Sequence, residues 1–191
     1  MATNLPLIAL MGNPNSGKTA IFNLLTGMNQ KVSNYPGITV EQRKGNAQLT
    51  DNSTVEIMDM PGTYSLTPES LDEKIVAQQT LKWLNGIDKP AAIISVVDVA
   101  NLSRNLYLTS QVMELGIPVI IALNMMDRLK QKNQEVDSIK LQKMLGVKAV
   151  VPMSAREKWG INELQTELLH VITEENIDPC SHLQMENTRE N

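Results

Sequence analysis

The chain has 191 residues, 42% of them hydrophobic, and a formal net charge of −4. A single domain of this length buries roughly 70% of its unfolded surface, so one compact core is expected. The acidic balance, without a long run of lysine and arginine, argues against nucleic acid as the main partner. The lone cysteine, Cys180, cannot form an internal disulfide, which is typical of a reducing compartment.

The sequence predicts neither a signal peptide at its start nor a membrane-spanning segment. The first residues lack the basic start and cleavage site of a signal peptide, so we expect a cytosolic start. The most apolar stretches, 91–97 and 117–123, are far shorter than the roughly 18 residues that indicate a membrane span. We therefore expect a soluble chain, with a globular unit over 1–173 and a polar tail or linker over 174–191.

Apolar segments of strand length alternate with helical patterns. The segments are 5–11, 55–58, 91–97, 119–123 and 149–153. Residues 101–115 and 161–172 repeat apolar positions every three to four residues, with the faces Leu102, Leu106, Thr109, Met113 and Ile161, Leu164, Leu168, Ile172. Apolar strands joined by helices predict a mostly parallel sheet buried on both faces, in a three-layer α/β fold. Two long connections, 28–40 and 61–72, are expected at the carboxyl edge of this sheet, where ligands bind.

The first apolar segment leads into the pattern G-x-x-x-x-G-K-[ST], between a predicted strand and a predicted helix. It consists of Gly12, Asn13, Pro14, Asn15, Ser16, Gly17, Lys18 and Thr19. Glycines let backbone N–H groups converge on phosphate oxygens, and the helix N-terminus adds partial positive charge. Lys18 is expected to reach the β- and γ-phosphates, and Thr19 to offer a hydroxyl to Mg²⁺. These residues predict a nucleotide-binding site.

A D-x-x-G arrangement follows the second apolar segment. Asp59 stands at the strand tip and can hold Mg²⁺ through a water, while the Gly62 amide can contact the γ-phosphate. Thr39, in the first long connection, is a candidate for a second hydroxyl on Mg²⁺. Composition alone leaves that role and an ordinary loop threonine nearly even.

Asn124 and Asp127 close a further strand and predict selection of guanine. A carboxylate at Asp127 can accept from guanine N1–H and the N2 amine, and the Asn124 amide can donate toward O6 or N7. Adenine would leave Asp127 facing a lone pair, so ATP should be rejected. Met125, between them, can pack on a base face. Ser154, Ala155 and Arg156, after the last strand, are placed to offer backbone amides to the guanine carbonyl.

The sequence is compatible with two accounts of how hydrolysis is assisted. Thr63 stands where many GTPases have a water-orienting glutamine. Hydrolysis is then either very slow or assisted by another group, and we favour Asn15, whose amide oxygen can ligate a monovalent cation beside the phosphates. A turn-stabilising role for Asn15 is the alternative, and the residues alone do not decide.

Several of these segments together resemble the N-terminal G domain of the bacterial ferrous iron transporter FeoB. The matching segments are the phosphate loop, 34–41, 59–66, 101–108 and 124–127, and methionine in place of lysine at Met125 is typical of that family. The resemblance covers about residues 5–172. It implies a Ras-like P-loop GTPase fold with a mostly parallel six-stranded sheet and helices on both faces.

The resemblance also implies a function. The chain would bind GTP and GDP with Mg²⁺, hydrolyse GTP slowly with potassium activation at Asn15, and control Fe²⁺ uptake at the cytoplasmic face of the inner membrane. Asn15, Lys18, Thr39 and Gly62 would assist hydrolysis, with Thr39 as a switch-loop Mg²⁺ ligand. Family members continue into a helical regulatory domain and a membrane-spanning region, which are the expected partners within one full-length protein. Homo-oligomer formation is left open, as are two other functions: a nucleotide-dependent switch with little hydrolysis, and a free-standing RNA-associated GTPase.

Overall fold

The structure, a computed structural model, describes residues 5–27, 30–35 and 40–177. Within these ranges the strands are β1 Leu7–Gly12, β2 Gln30–Asn34, β3 Glu41–Gln48, β4 Thr54–Asp59, β5 Ala92–Asp98, β6 Val119–Asn124 and β7 Ala149–Pro152. The α-helices are α1 Lys18–Thr26, α2 Leu71–Leu84, α3 Leu102–Met113, α4 Met126–Gln131, α5 Ser138–Leu145 and α6 Ile161–Ile177, and a 3₁₀ turn covers Val99–Asn101.

All seven strands form one sheet in the order β2-β3-β4-β1-β5-β6-β7. The pairs β4-β1, β1-β5, β5-β6 and β6-β7 are parallel, whereas β2-β3 and β3-β4 are antiparallel. The predicted mostly parallel α/β sheet is therefore confirmed, with one strand more than the predicted six. β2 lies inside the predicted loop 28–40, and its side chains are all exposed, so no apolar pattern marks it.

Two hydrophobic clusters, one on each face of the sheet, make the core. Alternate residues of β1 divide between them: Ile8 and Leu10 join the cluster with Phe22 of α1 and Leu164 of α6. Ala9 and Met11 instead join the cluster that contains α2 and α3 residues. Every residue of β5 and β6 is buried, as expected for strands covered on both faces. The three-layer arrangement is therefore confirmed.

The two helices that the sequence predicts most clearly are present. In α6, Leu164, Leu168 and Ile172 are buried as expected, and the helix continues to Ile177, past the predicted boundary at 173. In α3 the buried side is rotated from the predicted one, because only Thr109 of the predicted face is fully buried, while Leu102, Leu106 and Met113 are partly buried. The fully buried residues are Asn105, Leu108, Thr109 and Val112. The side chain of Asn105 accepts a hydrogen bond from the Asp98 backbone and so fixes the end of β5.

The predicted tail lies mostly outside the described residues, including Cys180 and His182. Among the residues that the structure describes, no helix combines the length and apolar character needed to cross a membrane.

Candidate nucleotide-binding site

The phosphate loop joins β1 to α1, as predicted, and packing requires both of its glycines. A Cβ at Gly12 would stand 2.8 Å from the backbone oxygen of Val96, since β5 runs directly beside it. Gly17 has a φ of +90°, and a Cβ there would lie 2.2 Å from Asn124 Nδ2. The loop is therefore pressed against two neighbouring strand ends, which leaves its opposite side for a ligand.

The end of β4 brings the predicted metal-binding carboxylate to this loop. Lys18 Nζ donates a hydrogen bond to the Asp59 carboxylate, and the two side chains are 11% and 8% exposed. Thr19, the other predicted Mg²⁺ ligand here, is exposed beside them. Thr39 lies outside the described residues, so its predicted role has no structural account. The structure thus places three of the predicted phosphate- and metal-binding groups side by side.

The loop after β4 is held against β1 by backbone hydrogen bonds. Met60 N–H donates to Leu10 O at 3.0 Å, and Thr63 N–H donates to Gly12 O at 3.3 Å. Between them Gly62 approaches the phosphate loop so closely that a Cβ would lie 3.3 Å from Pro14 Cα. Gly62 therefore stands at the phosphate loop, as the D-x-x-G pattern predicts.

Two clefts open at this edge of the sheet, on either side of Lys18. One, of about 350 Å³, is lined by the phosphate loop, including Asn13 and Asn15, together with Gly62. The other, of about 400 Å³, is lined by Thr19, Asp59 and residues of β3. Asp72, in the first turn of α2, lines both clefts. Sequence reasoning missed Asp72.

A local pattern could have located Asp72. Ser70 and Glu73 form a capping box, in which Ser70 Oγ accepts from the Glu73 N–H and the Glu73 carboxylate accepts from the Ser70 N–H. The S-x-x-E spacing is visible in the sequence and marks the first turn of a helix. That turn is the one that carries Asp72, but only the fold shows that it faces the phosphate loop.

Asn124 joins the phosphate loop to the loop after β7. Its Nδ2 donates to Ser16 O at 2.9 Å, and its Oδ1 accepts from Ala155 N–H at 3.0 Å. Both polar atoms of the amide therefore already have partners within the chain. Because Nδ2 carries two hydrogens, one N–H remains for a base acceptor. Asn124 is 2% exposed, so these hydrogen bonds are shielded from solvent.

The loop after β7 contains the residues predicted to offer backbone amides to the guanine carbonyl. Ala155 N–H is bonded to Asn124, and Ser154 N–H donates to Trp159 O at 3.2 Å, so two of the three predicted amide donors have partners within the chain. Ser154 instead acts through its hydroxyl, which donates to Asp127 Oδ1 at 2.8 Å. That bond orients a carboxylate that is only 6% exposed and leaves Oδ2 as an acceptor.

Met125 holds the turn between Asn124 and Asp127. Its φ is +65°, an uncommon conformation for a residue with a side chain, and α4 begins immediately after it. The Met125 methyl carbon lies 3.8 Å from the Cβ position of Gly17. The side chain therefore packs beside the phosphate loop, where a base can lie against it.

Thr63 is buried and does not present its hydroxyl to either cleft. Its Oγ1 donates to Ser65 O at 2.6 Å and accepts from Ser65 N–H at 3.3 Å. Thr63 therefore stabilises its own loop and is not placed to orient water.

Nearby, hydrogen bonds from the backbone N–H of Glu69 and then of Ser70 hold the pKa of Glu73 below its usual value.

Tyr35 closes the described end of the first long connection. Its N–H donates to Val40 O at 3.0 Å, so the chain on one side of residues 36–39 is bonded to the chain on the other side. The ring is 5% exposed, and the hydroxyl donates to Met60 Sδ at 3.6 Å. Burial, followed by the nearby charge of Asp59, raises the pKa of Tyr35 to about 12. The phenol therefore stays neutral and holds the end of β2 beside Met60, in the loop after Asp59.

Comparison with known proteins places this site in a family. The profile described as ferrous iron transport protein B matches residues 7–168. The Fe(2+) transporter FeoB of Legionella pneumophila is 46% identical over 165 residues, which cover 84% of this chain and 21% of the relative. The chain thus spans about a fifth of the length of that relative.

Solved structures agree with this match. A mutant of the S. thermophilus protein NFeoB, crystallised with GDP, has a TM-score of 0.80 and 44% identity, covering 89% of this chain and 64% of its own. The cytosolic domain of the T. maritima FeoB iron transporter in its GMPPNP form has a TM-score of 0.80 and 37% identity, covering 87% of this chain and 63% of its own. The fold is therefore that of a P-loop GTPase, and the chain belongs to the ferrous iron transport protein B family.

Proposed function

We propose that this chain binds GTP and GDP, hydrolyses GTP, and so regulates ferrous iron uptake by a longer protein of which it is the G domain. The observation that carries the proposal is the Asn124 side chain, which ties the phosphate loop to the loop after β7 and thereby joins a phosphate site to a base site. The S. thermophilus relative bound to GDP and the T. maritima relative in its GMPPNP form support the choice of a guanine nucleotide.

Guanine selection is assigned to Asp127 and Asn124. With Oδ1 held by Ser154, the second oxygen of Asp127 is available to the N1–H and N2 amine of guanine. Adenine offers neither donor, so it would leave a buried carboxylate unpaired, which typically costs a factor of about 10⁴ in discrimination. The remaining N–H of Asn124 and the side chain of Met125 complete the base site.

The phosphates are assigned to the phosphate loop and Lys18. Lys18 lies at the mouth of both clefts and is already close to Asp59. Thr19 and Asp59 are oxygen donors suited to Mg²⁺, with Thr39 as the third proposed ligand. Mg²⁺, when bound, would offset the negative charge of the phosphates.

Hydrolysis is assigned to Gly62, Lys18 and Asn15. The Gly62 backbone is adjacent to the phosphate loop, where its N–H can meet the γ-phosphate. Asn15 has a φ of +64° and an exposed side chain that lines the cleft containing Gly62. A side-chain amide oxygen in that position suits a potassium ion, which would supply positive charge in place of an arginine. Since Thr63 cannot orient water, we expect slow intrinsic hydrolysis.

The iron-transport role comes from the family, whose named relatives are Fe(2+) transporters. We propose that the membrane-spanning and helical regulatory parts of a full-length protein are the partners of this domain, which would work at the cytoplasmic face of the inner membrane. A free-standing RNA-associated GTPase fits less well, because the matched family is one of transporters. A switch with little hydrolysis is the alternative that Thr63 favours.

Single-turnover GTP hydrolysis in potassium and in sodium tests the proposal. We expect faster hydrolysis in potassium, and loss of that difference in Asn15→Ala. Asn52→Ala is the matched control, because Asn52 has a similar φ of +66° but lies in the turn between β3 and β4. Equal rates in the two salts would overturn the potassium assignment. Tight GDP binding with no hydrolysis above buffer would favour the non-hydrolysing switch.

A further inference from the structure

One face of α3 is directed at the loop between β4 and α2. Arg104, Tyr107 and Gln111 are spaced three and four residues apart, so they lie along one side of the helix. We call these three residues the α3 row. The facing segment, residues 61–70, follows Asp59 and contains Gly62.

The α3 row holds this loop at two points. The Arg104 guanidinium lies 4.0 Å from the centre of the Tyr64 ring, within range of a cation–π interaction. Two residues later, Leu66 N–H donates to Gln111 Oε1 at 2.9 Å. Gln111 Nε2 in turn donates to the Tyr107 hydroxyl at 3.3 Å, which orients the amide. Side chain and backbone of the loop are thus both attached to one helix.

The same helix also contacts the phosphate loop. Asn13, which is 3% exposed, donates from Nδ2 to the Arg104 backbone oxygen at 3.5 Å. Among the described residues no carboxylate lies within 4 Å of the Arg104 guanidinium, so its charge is available to the Tyr64 ring. The loop 61–70 therefore lies between the phosphate loop and α3, and contacts both.

We propose that Arg104 and Gln111 are positioning residues for GTP hydrolysis, which act by fixing Tyr64 and Leu66 so that Gly62 stays at the phosphate loop. The inference rests on the proposed function, since it deepens the role of Gly62. Arg104 and Gln111 do not line either phosphate cleft. Their effect should therefore fall on the hydrolysis rate and not on nucleotide affinity.

The first test compares Tyr64→Leu with Tyr64→Phe, which keeps the aromatic ring. With Mg²⁺ and potassium present, we expect Tyr64→Leu to lower the single-turnover rate roughly 2- to 5-fold relative to wild type. That factor corresponds to the free energy of an exposed cation–π contact. Tyr64→Phe should keep the wild-type rate, and both should bind GDP and a GTP analogue with unchanged Kd. Equal rates for the two variants would overturn the inference.

A double-mutant cycle then tests whether Arg104 acts through the ring. Arg104→Met keeps the backbone oxygen that Asn13 uses, and replaces the charged guanidinium with an uncharged thioether. If Arg104 acts through its contact with the Tyr64 ring, the double variant Tyr64→Leu, Arg104→Met will hydrolyse GTP no more slowly than the slower single variant. Multiplied effects would show that the two residues act separately, and would overturn the proposal.

Amide hydrogen exchange of residues 62–66 in the GDP complex provides a readout that does not depend on hydrolysis. We expect faster exchange in Tyr64→Leu and in Gln111→Met, and wild-type exchange in Tyr64→Phe. Unchanged exchange in the first two variants would overturn the inference. If the wild-type chain hydrolyses no GTP, the proposed function is rejected. If the wild-type chain is active and Tyr64→Leu and Tyr64→Phe hydrolyse GTP at equal rates, only this inference is rejected.

Discussion

Asn124 at the end of β6 donates its side-chain amide to the backbone oxygen of Ser16, 108 residues earlier in the chain, at 2.9 Å. The same side chain accepts from the Ala155 N–H. One buried amide therefore fixes the phosphate loop relative to the loop that orients Asp127 through Ser154. A nucleotide that spans phosphate site and base site depends on this relative position.

Replacing Asn124 should destabilise the chain even without nucleotide. Asn124→Ala leaves the Ser16 oxygen and the Ala155 N–H without their partner, at about 1–3 kcal/mol for each buried group. Urea unfolding of the free chain measures the loss. Asn85→Ala is the matched control, because Asn85 makes an exposed bond from Nδ2 to Leu81 O at 2.9 Å and should cost under about 1 kcal/mol. Equal losses would contradict the structural role of Asn124.

Gly17→Ala should abolish guanine nucleotide binding. The new Cβ would meet Asn124 Nδ2 at 2.2 Å and would also require a φ of +90°. Gly27→Ala shares the positive φ but has nothing within 4 Å of its Cβ, so it should suffer only backbone strain of about 1 kcal/mol. Fluorescent GDP titration compares the two. A Gly17→Ala chain that binds GDP as well as Gly27→Ala would show that the close approach is not needed.

Asp127→Asn should change the base that is preferred. An amide N–H at this position can donate to the C2 carbonyl of xanthine, while it would oppose the N2 amine of guanine. We expect GDP affinity to fall by about 10²- to 10⁴-fold and affinity for xanthosine diphosphate to rise. Competition titration with both nucleotides checks this. Asp137→Asn, which changes an N-cap residue of α5, should alter neither affinity.

Tyr35 should make stability fall at high pH. Its folded pKa of about 12 exceeds the ordinary value of 10.0, because burial and the Asp59 charge disfavour the phenolate. The contribution is thus complete below pH 10 and is lost as pH rises toward 12, at about 1.4 kcal/mol per pH unit. The difference in unfolding free energy between wild type and Tyr35→Phe, measured with urea from pH 9 to pH 11.5, isolates this slope. Parallel stability curves for the two proteins would contradict the assignment.

The chemistry of the site could be predicted because its motifs are local. Gly12 to Thr19 form one continuous turn, so the residue types needed for a phosphate loop stand together in the sequence. Asp59 and Gly62, and likewise Asn124 and Asp127, follow apolar strands that mark the carboxyl edge of a parallel sheet. Spacing and order were therefore enough to predict a phosphate site and a base site.

Elements without such a pattern could not be predicted. β2 is exposed along its whole length, so hydrophobic periodicity does not distinguish it from a loop. The face of α3 was predicted out of position because Leu106 and Met113 fit a helical apolar period as well as Leu108 and Val112 do, and because Asn105 is polar yet buried. β2 is held by backbone pairing with β3, and Asn105 by its bond to the Asp98 backbone, and neither contact leaves an apolar pattern in the sequence.

The sequence by itself determined the α/β fold class, the phosphate loop and the residues suited to guanine, since each depends on neighbouring residues or on regular spacing. The tertiary structure alone decided which partners those residues take. It commits Asn124 to Ser16 and Ala155, brings Asp72 to both phosphate clefts, and attaches Tyr64 to Arg104. Such contacts form between segments far apart in the chain, and only the packing of the strands and helices brings these segments together.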